Sequence, residues 1–252
     1  MRIEAVTLDA FGTVLDTGRT AVLEVAAEVV ARERLAMSPE TFLAAWDEAF
    51  FALQAAGRMS TARFLTLAET SRRSLGSTLA RFGSKGEARP YVESLLARWR
   101  RARPFPDARG ALERLRGTPL AIVSNADDAF LRDLMDRCSL PVDLVITSEA
   151  TRSYKPDRGI FEAALAALGT PAERTLHIGD SYLEDVVGSK GAGMAAAWLN
   201  RRGLPRPRDG PSADYEVRDL GSIPALLGDP AGVHTRIRRG VMRGRRRAHR
   251  NR

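Results

Sequence analysis

Cysteine is nearly missing from this chain: Cys138 is the single one in 252 residues. One thiol excludes an internal disulfide and a zinc-finger framework. Lysine is almost as scarce. Lys85, Lys155 and Lys190 are the only three among 39 basic residues, and the other 36 are arginine. Aromatic residues make up 6% of the sequence. No run approaches the ~18 consecutive apolar residues of a membrane span. The opening residues MRIEAVTLDAFG carry an early acid and lack the apolar block of a signal peptide. The expectation from these absences is a soluble, cytoplasmic protein.

What is present is ordinary for a globular chain: 44% hydrophobic and 28% charged residues. At roughly 150 residues per domain there is room for one large core and a smaller unit. The net charge of +8 is unevenly spread. Nine arginines and no acid lie in the last seventeen residues, so residues 1–235 carry a net charge of −1. Residues 229–252 read as a basic, disordered tail. Such a tail is either merely solvated or touches nucleic acid or another polyanion through phosphate contacts. Because arginine serves wherever a generic cation suffices, a retained lysine is a candidate for a specific task. That bears on Lys155.

Residues 3–8, IEAVTL, form an apolar run ending at Asp9 and Gly12, as expected of a buried strand that feeds a loop. Residues 20–35 have helical periodicity. Ser38-Pro39-Glu40-Thr41 reads as a helix start with proline at the first helical position. Helical patterns continue to about 56, then over 60–82 and 90–102. Trp46, Phe50, Phe51 and Phe64 recur at helical spacing, the pattern of core rather than of a substrate box. After Pro104 and Pro106 the texture changes to strand–helix alternation. Strands are expected over 119–123, 142–147, 175–178 and 194–199, with helices over 107–116, 127–137, 157–168 and 182–190. This pattern predicts an α/β fold with a doubly wound parallel sheet. The core would comprise 1–16 and 103–228, with 17–102 as a helical insertion.

In an open α/β sheet, ligands bind at the carboxyl ends of the strands. That edge collects Asp9, Ser124-Asn125 and Asp180, with Asp185 five residues on and Lys155 in the loop before helix 157–168. Three close carboxylates repel unless a cation neutralises them. A hard divalent ion with oxygen ligands, Mg²⁺ above all, fits. A carboxylate beside it can attack a phosphoryl group, and a lysine and a hydroxyl can hold the phosphoryl oxygens.

Leu8-Asp9-Ala10-Phe11-Gly12-Thr13-Val14-Leu15-Asp16 resembles the first motif of the haloacid dehalogenase-like superfamily. Val123-Ser124-Asn125 is similar to its second, and Lys155-Pro156-Asp157 with Ile160-Phe161 to its third. His177-Ile178-Gly179-Asp180-Ser181 with Glu184-Asp185 is similar to its fourth. The resemblance covers about 1–228 and implies a Rossmann-like hydrolase core whose helical insertion is a cap domain. It further implies Asp9 as nucleophile, Ser124 at the transferring group and Lys155 as the stabilising cation; Asn125, beside Ser124, is a further candidate for a phosphate contact. Asp9, Asp180, Asp185 and the backbone carbonyl of Phe11 would hold the metal, Asp185 directly or through a neighbour. The implied activity is Mg²⁺-dependent hydrolysis of a small phosphorylated metabolite by a monomer or homodimer, without a membrane partner.

One position departs from the phosphatase pattern. Phosphatases of this superfamily carry a second Asp two residues after the nucleophile, as general acid and base; here Phe11 stands there. The dehalogenases carry an aromatic residue at that place, but they lack the Gly-Asp pair kept here as Gly179-Asp180 and need no metal. General acid–base catalysis contributes about 10²–10⁴-fold, or roughly 3–5 kcal/mol. Its loss weighs on poor leaving groups, so acyl and aryl phosphates are the expected substrates unless Glu184 or a cap group supplies the proton. C–halogen hydrolysis and a weakly catalytic, regulatory binding protein remain the alternatives. Phe11 itself reads as core or as an aromatic pocket wall. Arg19 reads as solvated or substrate-facing, and His177 as a packed neighbour in its strand.

Overall fold

A computed structural model describes residues 2–58 and 64–227. Six parallel strands form one sheet in the order β3-β2-β1-β4-β5-β6. They are β1 (Ala5–Leu8), β2 (Leu120–Ser124), β3 (Leu144–Thr147), β4 (Thr175–Gly179), β5 (Ala195–Leu199) and β6 (Tyr215–Val217). Strands β1, β2, β4 and β5 are buried along their whole length. Crossover helices cover both faces of a parallel sheet, which is why these strands read as continuous apolar runs. Strand β6 was not legible beforehand, because three residues, YEV, are too short to carry a pattern.

Among the described residues, five helices lie between β1 and β2. Four of them, α1 (Gly18–Arg32), α2 (Pro39–Arg58), α3 (Leu67–Arg81) and α4 (Ala88–Trp99), pack on one another; α5 (Ala108–Arg114) belongs to the sheet. The four-helix unit has its own apolar centre, including Val25, Val29, Phe42, Trp46, Leu75 and Leu95. The sheet has another, built on Val6, Leu8, Leu112, Ile122, Leu131 and Ile178. The outgoing and returning chains are joined where Asp16 N donates to Arg103 O (2.8 Å) and Phe105 N to Val14 O (2.9 Å).

Local chemistry sets the helix ends. Ser38 Oγ accepts from Thr41 N at 3.2 Å, capping α2 ahead of Pro39. The helix expected over 60–82 starts only at Leu67, because Thr66 caps it by accepting from Glu69 N at 3.2 Å. Helix α4 begins two residues before Pro90, which the first turn tolerates because its N–H would lack an intrahelical partner. The segment expected as a helix over 182–190 opens with a π-helical turn at Tyr182–Val187. The second half of the sheet is completed by α6 (Asp128–Cys138), α7 (Ser148–Thr151) and α8 (Arg158–Leu168). The arginine tail over 229–252 lies outside the described residues, as does the side chain of Arg19. Among the described residues, no helix is long and apolar enough to cross a membrane.

Candidate active site

Strand β1 lies between β2 and β4, so the residues at and just past their carboxyl ends converge: Ser124 closes β2, and Asp9 and Asp180 directly follow β1 and β4. Asp9 is buried. Lys155 arrives from the loop before α8 and is 1% exposed. Its Nζ donates to Asp9 Oδ1 at 2.6 Å and to Asp185 Oδ1 at 2.7 Å. Ser124 Oγ donates to the same Asp9 Oδ1 at 3.1 Å. Two donors on one oxygen fix the rotation of that carboxylate.

Asp185 sits on the π-helical turn and is held by three donors. Besides Lys155, His177 Nε2 lies 3.1 Å from Oδ1 and Ser181 N donates to Oδ2 at 2.9 Å. Gly179 makes this possible, since a Cβ there would overlap the Asp185 carboxylate. The other ring nitrogen of His177, Nδ1, lies 2.8 Å from Thr7 Oγ1. Thr7 and His177 are register partners on β1 and β4. An ionised Asp185 accepts, so His177 carries its proton on Nε2 and Nδ1 accepts a hydrogen bond from the Thr7 hydroxyl. Burial holds the imidazole pKa below its ordinary value, keeping it neutral. Burial also opposes ionisation of Asp185, but Lys155 and His177 outweigh it and hold its carboxyl well below the usual range. For Lys155 the order is the same: burial opposes its charge, and Asp185 with Asp9 outweighs burial.

Carboxylate oxygens of Asp9, Asp180 and Asp185 all lie within 4.8 Å of one another. Thr13 Oγ1 accepts from Asp180 N at 3.1 Å, and Trp198 Nε1 donates to Asp180 O at 3.1 Å. Gly12 adopts φ +84°, and a Cβ there would sit 2.7 Å from Asp180 Oδ2. The loop backbone is thus cut back to leave room at that carboxylate. Burial, then the charges of Asp9 and Asp185, push Asp180 up to about 8. Burial pushes Glu184 up to about 7. Burial, with Asp185, also raises Asp9 despite the Lys155 ammonium. Four carboxylates face one lysine, and this surplus of negative charge is what a divalent cation with oxygen ligands neutralises. Asp9, Asp180 and Asp185 could together hold such a cation.

Two predicted positions act differently from the simplest expectation. The Asn125 amide is occupied by the backbone of Lys155: Nδ2 donates to Lys155 O at 3.1 Å, and Oδ1 accepts from Lys155 N at 2.7 Å. It thereby ties the second motif to the third and sets the position of Lys155. The Phe11 ring stacks on Trp99 with centroids 5.5 Å apart and planes at 19°, and meets Phe130 at 6.4 Å. It is an aromatic wall between the sheet and the helical unit. The aromatics of the insertion also divide: Trp46 is buried, Phe51 is 48% exposed, and Phe64 stacks on Tyr154 at 4.9 Å.

Sequence reasoning missed several contributors. Thr7 and the orienting role of His177 follow only from strand register. Asp127, three residues after Ser124, accepts from the backbone N–H groups of Leu67 and Ala68 at the start of α3. Tyr154, next to Lys155, donates to Leu65 O at 3.0 Å. The helical unit is thus held by residues adjoining Ser124 and Lys155. Nothing in the linear order signals these long-range pairs.

Residues 3–193 match the family of haloacid dehalogenase-like hydrolases. Over 130 residues the chain is 31% identical to an (S)-2-haloacid dehalogenase of Pseudomonas putida, covering 50% of this chain and 58% of the relative. Over 128 residues it is 32% identical to a pyrimidine 5'-nucleotidase of Escherichia coli, covering 49% of this chain and 56% of the relative. The chain thus spans less than two thirds of the length of these curated relatives. A structure of L-2-haloacid dehalogenase from Xanthobacter autotrophicus superposes with a TM-score of 0.72 at 23% identity, over 89% of this chain and 98% of that one. With the four motifs meeting at one strand edge and the family match running through all of them, the chain belongs to the haloacid dehalogenase-like hydrolases.

Proposed function

We propose that this hydrolase is a Mg²⁺-dependent phosphatase acting on a small phosphorylated metabolite through an aspartyl-phosphate on Asp9. The observation that carries the reading is the carboxylate cluster of Asp9, Asp180 and Asp185, in surplus over the single ammonium of Lys155. Metal-independent C–halogen hydrolysis has no use for a surplus that demands a cation. When bound, Mg²⁺ supplies charge neutralisation and orientation of the phosphoryl group. Asp9 attacks phosphorus. Ser124 and Lys155 hold phosphoryl oxygens as charge develops, and Asn125 keeps Lys155 in register. Residues 17–102 act as the cap that excludes water and selects the substrate, over a core of 1–16 and 103–228.

The test is turnover of acetyl phosphate and 4-nitrophenyl phosphate with Mg²⁺, with chelator, and with Asp9→Asn. Turnover abolished by both chelator and Asp9→Asn is the expected result. Turnover that survives chelation overturns the metal dependence. A second reading, 2-haloacid dehalogenation, is favoured by Phe11 and by the dehalogenases among the relatives; halide release from 2-chloropropionate in chelator would establish it.

A further inference from the structure

Two arginines follow β5, at the head of a stretch, RRGLPRPRDGPSA, with the composition of an exposed loop. Arg202 is exposed, whereas the Arg201 side chain is only 20% exposed. Nη1 and Nη2 of Arg201 donate to the two carboxylate oxygens of Asp107 at 2.8 and 3.0 Å, and Nη2 also donates to Thr13 O at 3.0 Å. The guanidinium carbon lies 4.1 Å from the centroid of the Phe105 ring. The forked pair and the ring together fix the guanidinium plane. Asp107 is itself anchored by Leu220 N, which donates to its Oδ2 at 2.7 Å.

Asp107 alone would answer the charge of Arg201. The further bond, to Thr13, reaches the loop that follows the nucleophile. Thr13 is fully buried. Its carbonyl is held by Arg201, and its hydroxyl meets Asp180 twice: Oγ1 accepts from Asp180 N at 3.1 Å and donates to Asp180 Oδ1 at 3.4 Å. Trp198, on β5, donates to Asp180 O at 3.1 Å. The end of β5 therefore grips Asp180 along two paths, directly through Trp198 and through Thr13 by way of Arg201. The Asp180 carboxylate needs such a grip. Oxygens of Asp9 and Asp185 lie within 4.8 Å and repel it, and Gly12 presents no Cβ to confine it.

We propose that Arg201 is a positioning residue: through the carbonyl and hydroxyl of Thr13 it holds the Asp180 carboxylate where a cation shared with Asp9 would bind. This rests on the metal-dependent phosphatase reading. Lysine is no substitute, because a single ammonium does not span both Asp107 oxygens and the Thr13 carbonyl while lying flat on Phe105.

The experiment uses the full chain as wild type, Arg201→Ala, Thr13→Val and the double variant. Isothermal titration with Mg²⁺ reads the site, and amide hydrogen exchange by NMR in chelator reads the Asp180 N–H without any metal. In Arg201→Ala the Mg²⁺ dissociation constant should rise about tenfold or more, the scale for a partner one step behind a ligand. The Asp180 amide should exchange faster, while Ala121 and Ile122 in β2 keep their rates. Adding Arg201→Ala to Thr13→Val should cost little further affinity, because the path is already cut. Guanidinium ion should restore affinity in Arg201→Ala and not in the double variant; a cavity of about 330 Å³ bordered by Gly12, Phe105, Asp180 and Arg201 gives it entry. Arg201→Lys keeps the charge and the stem, so it folds more readily, and it should lose affinity in the same direction. Wild-type affinity in Arg201→Ala or Arg201→Lys, full additivity with Thr13→Val, unchanged Asp180 exchange or no response to guanidinium overturns the positioning role and leaves the phosphatase reading standing. A wild type that binds no Mg²⁺ overturns both.

Discussion

Replacing Lys155 by methionine removes the one cation from a buried cluster of carboxylates. The ammonium is 1% exposed and lies 2.6 Å from Asp9 and 2.7 Å from Asp185. Deleting one partner of a buried ion pair costs about 3–5 kcal/mol, because the remaining charge is left uncompensated. At about 2–4 °C per kcal/mol for a chain near this size, Tm in chelator should fall by roughly 6–20 °C. The deficit should depend on pH. In wild type the depressed Asp185 pKa gives stability that is present above its unfolded pKa near 4 and lost only as pH falls through the lower native value. Without Lys155, the Asp9 and Asp185 pKa values rise, and the orphaned carboxylates take up protons as pH falls toward 5. The gap between variant and wild type should therefore narrow on acidification. It should also narrow with millimolar Mg²⁺, and when Asp185→Asn is added to the variant. Differential scanning fluorimetry at pH 5.5 and 8, with and without Mg²⁺, reads all of this. A deficit equal at both pH values and untouched by Asp185→Asn would refute the electrostatic account and leave only lost packing.

Three further outcomes follow from the same geometry. Because Asp180 is raised to about 8 and Glu184 to about 7, the folded state holds extra protons above pH 4. Stability in chelator should then decline between about pH 5 and 8, and Mg²⁺ should raise Tm more at pH 8 than at pH 6; calorimetry should show proton release on metal binding. Gly12→Ala faces both a positive φ of +84° and a Cβ 2.7 Å from Asp180 Oδ2. It should cost about 1–2 kcal/mol and weaken Mg²⁺ binding by isothermal titration; unchanged affinity would show that Asp180 can move freely. His177→Asn and Thr7→Val loosen Asp185 without touching substrate. Both should lower kcat by about tenfold at nearly constant KM, and a change confined to KM would remove His177 from the positioning chain.

The linear order of residues determined much of this protein. Continuous apolar runs such as AVTL and LAIVS specify strands buried on both faces, and their alternation with helices specifies a parallel sheet. Asp9, Ser124, Lys155, Asp180 and Asp185 stand at strand ends, in one loop and on the turn after β4, so that they gather at one sheet edge is legible in the sequence. Helix ends were less so: the start of α3 depends on a single Thr66 hydroxyl, and β6 is too short for any period to register.

Only the tertiary structure decided how these residues act on one another. His177 reads in sequence as a buried strand residue. Strand register sets it beside Thr7, and the π-helical turn brings Asp185 to its other nitrogen. Asn125 reads as a phosphate contact, yet its amide closes on the backbone of Lys155, thirty residues away. Phe11 reads as a missing acid, and only the packing of α4 against the nucleophile loop makes it a wall shared with Trp99. Local patterns encode which face of an element is apolar. Which distant polar groups then meet is fixed by the order of strands in the sheet and by the angle at which the helical unit docks, and neither quantity is written in any short stretch of residues.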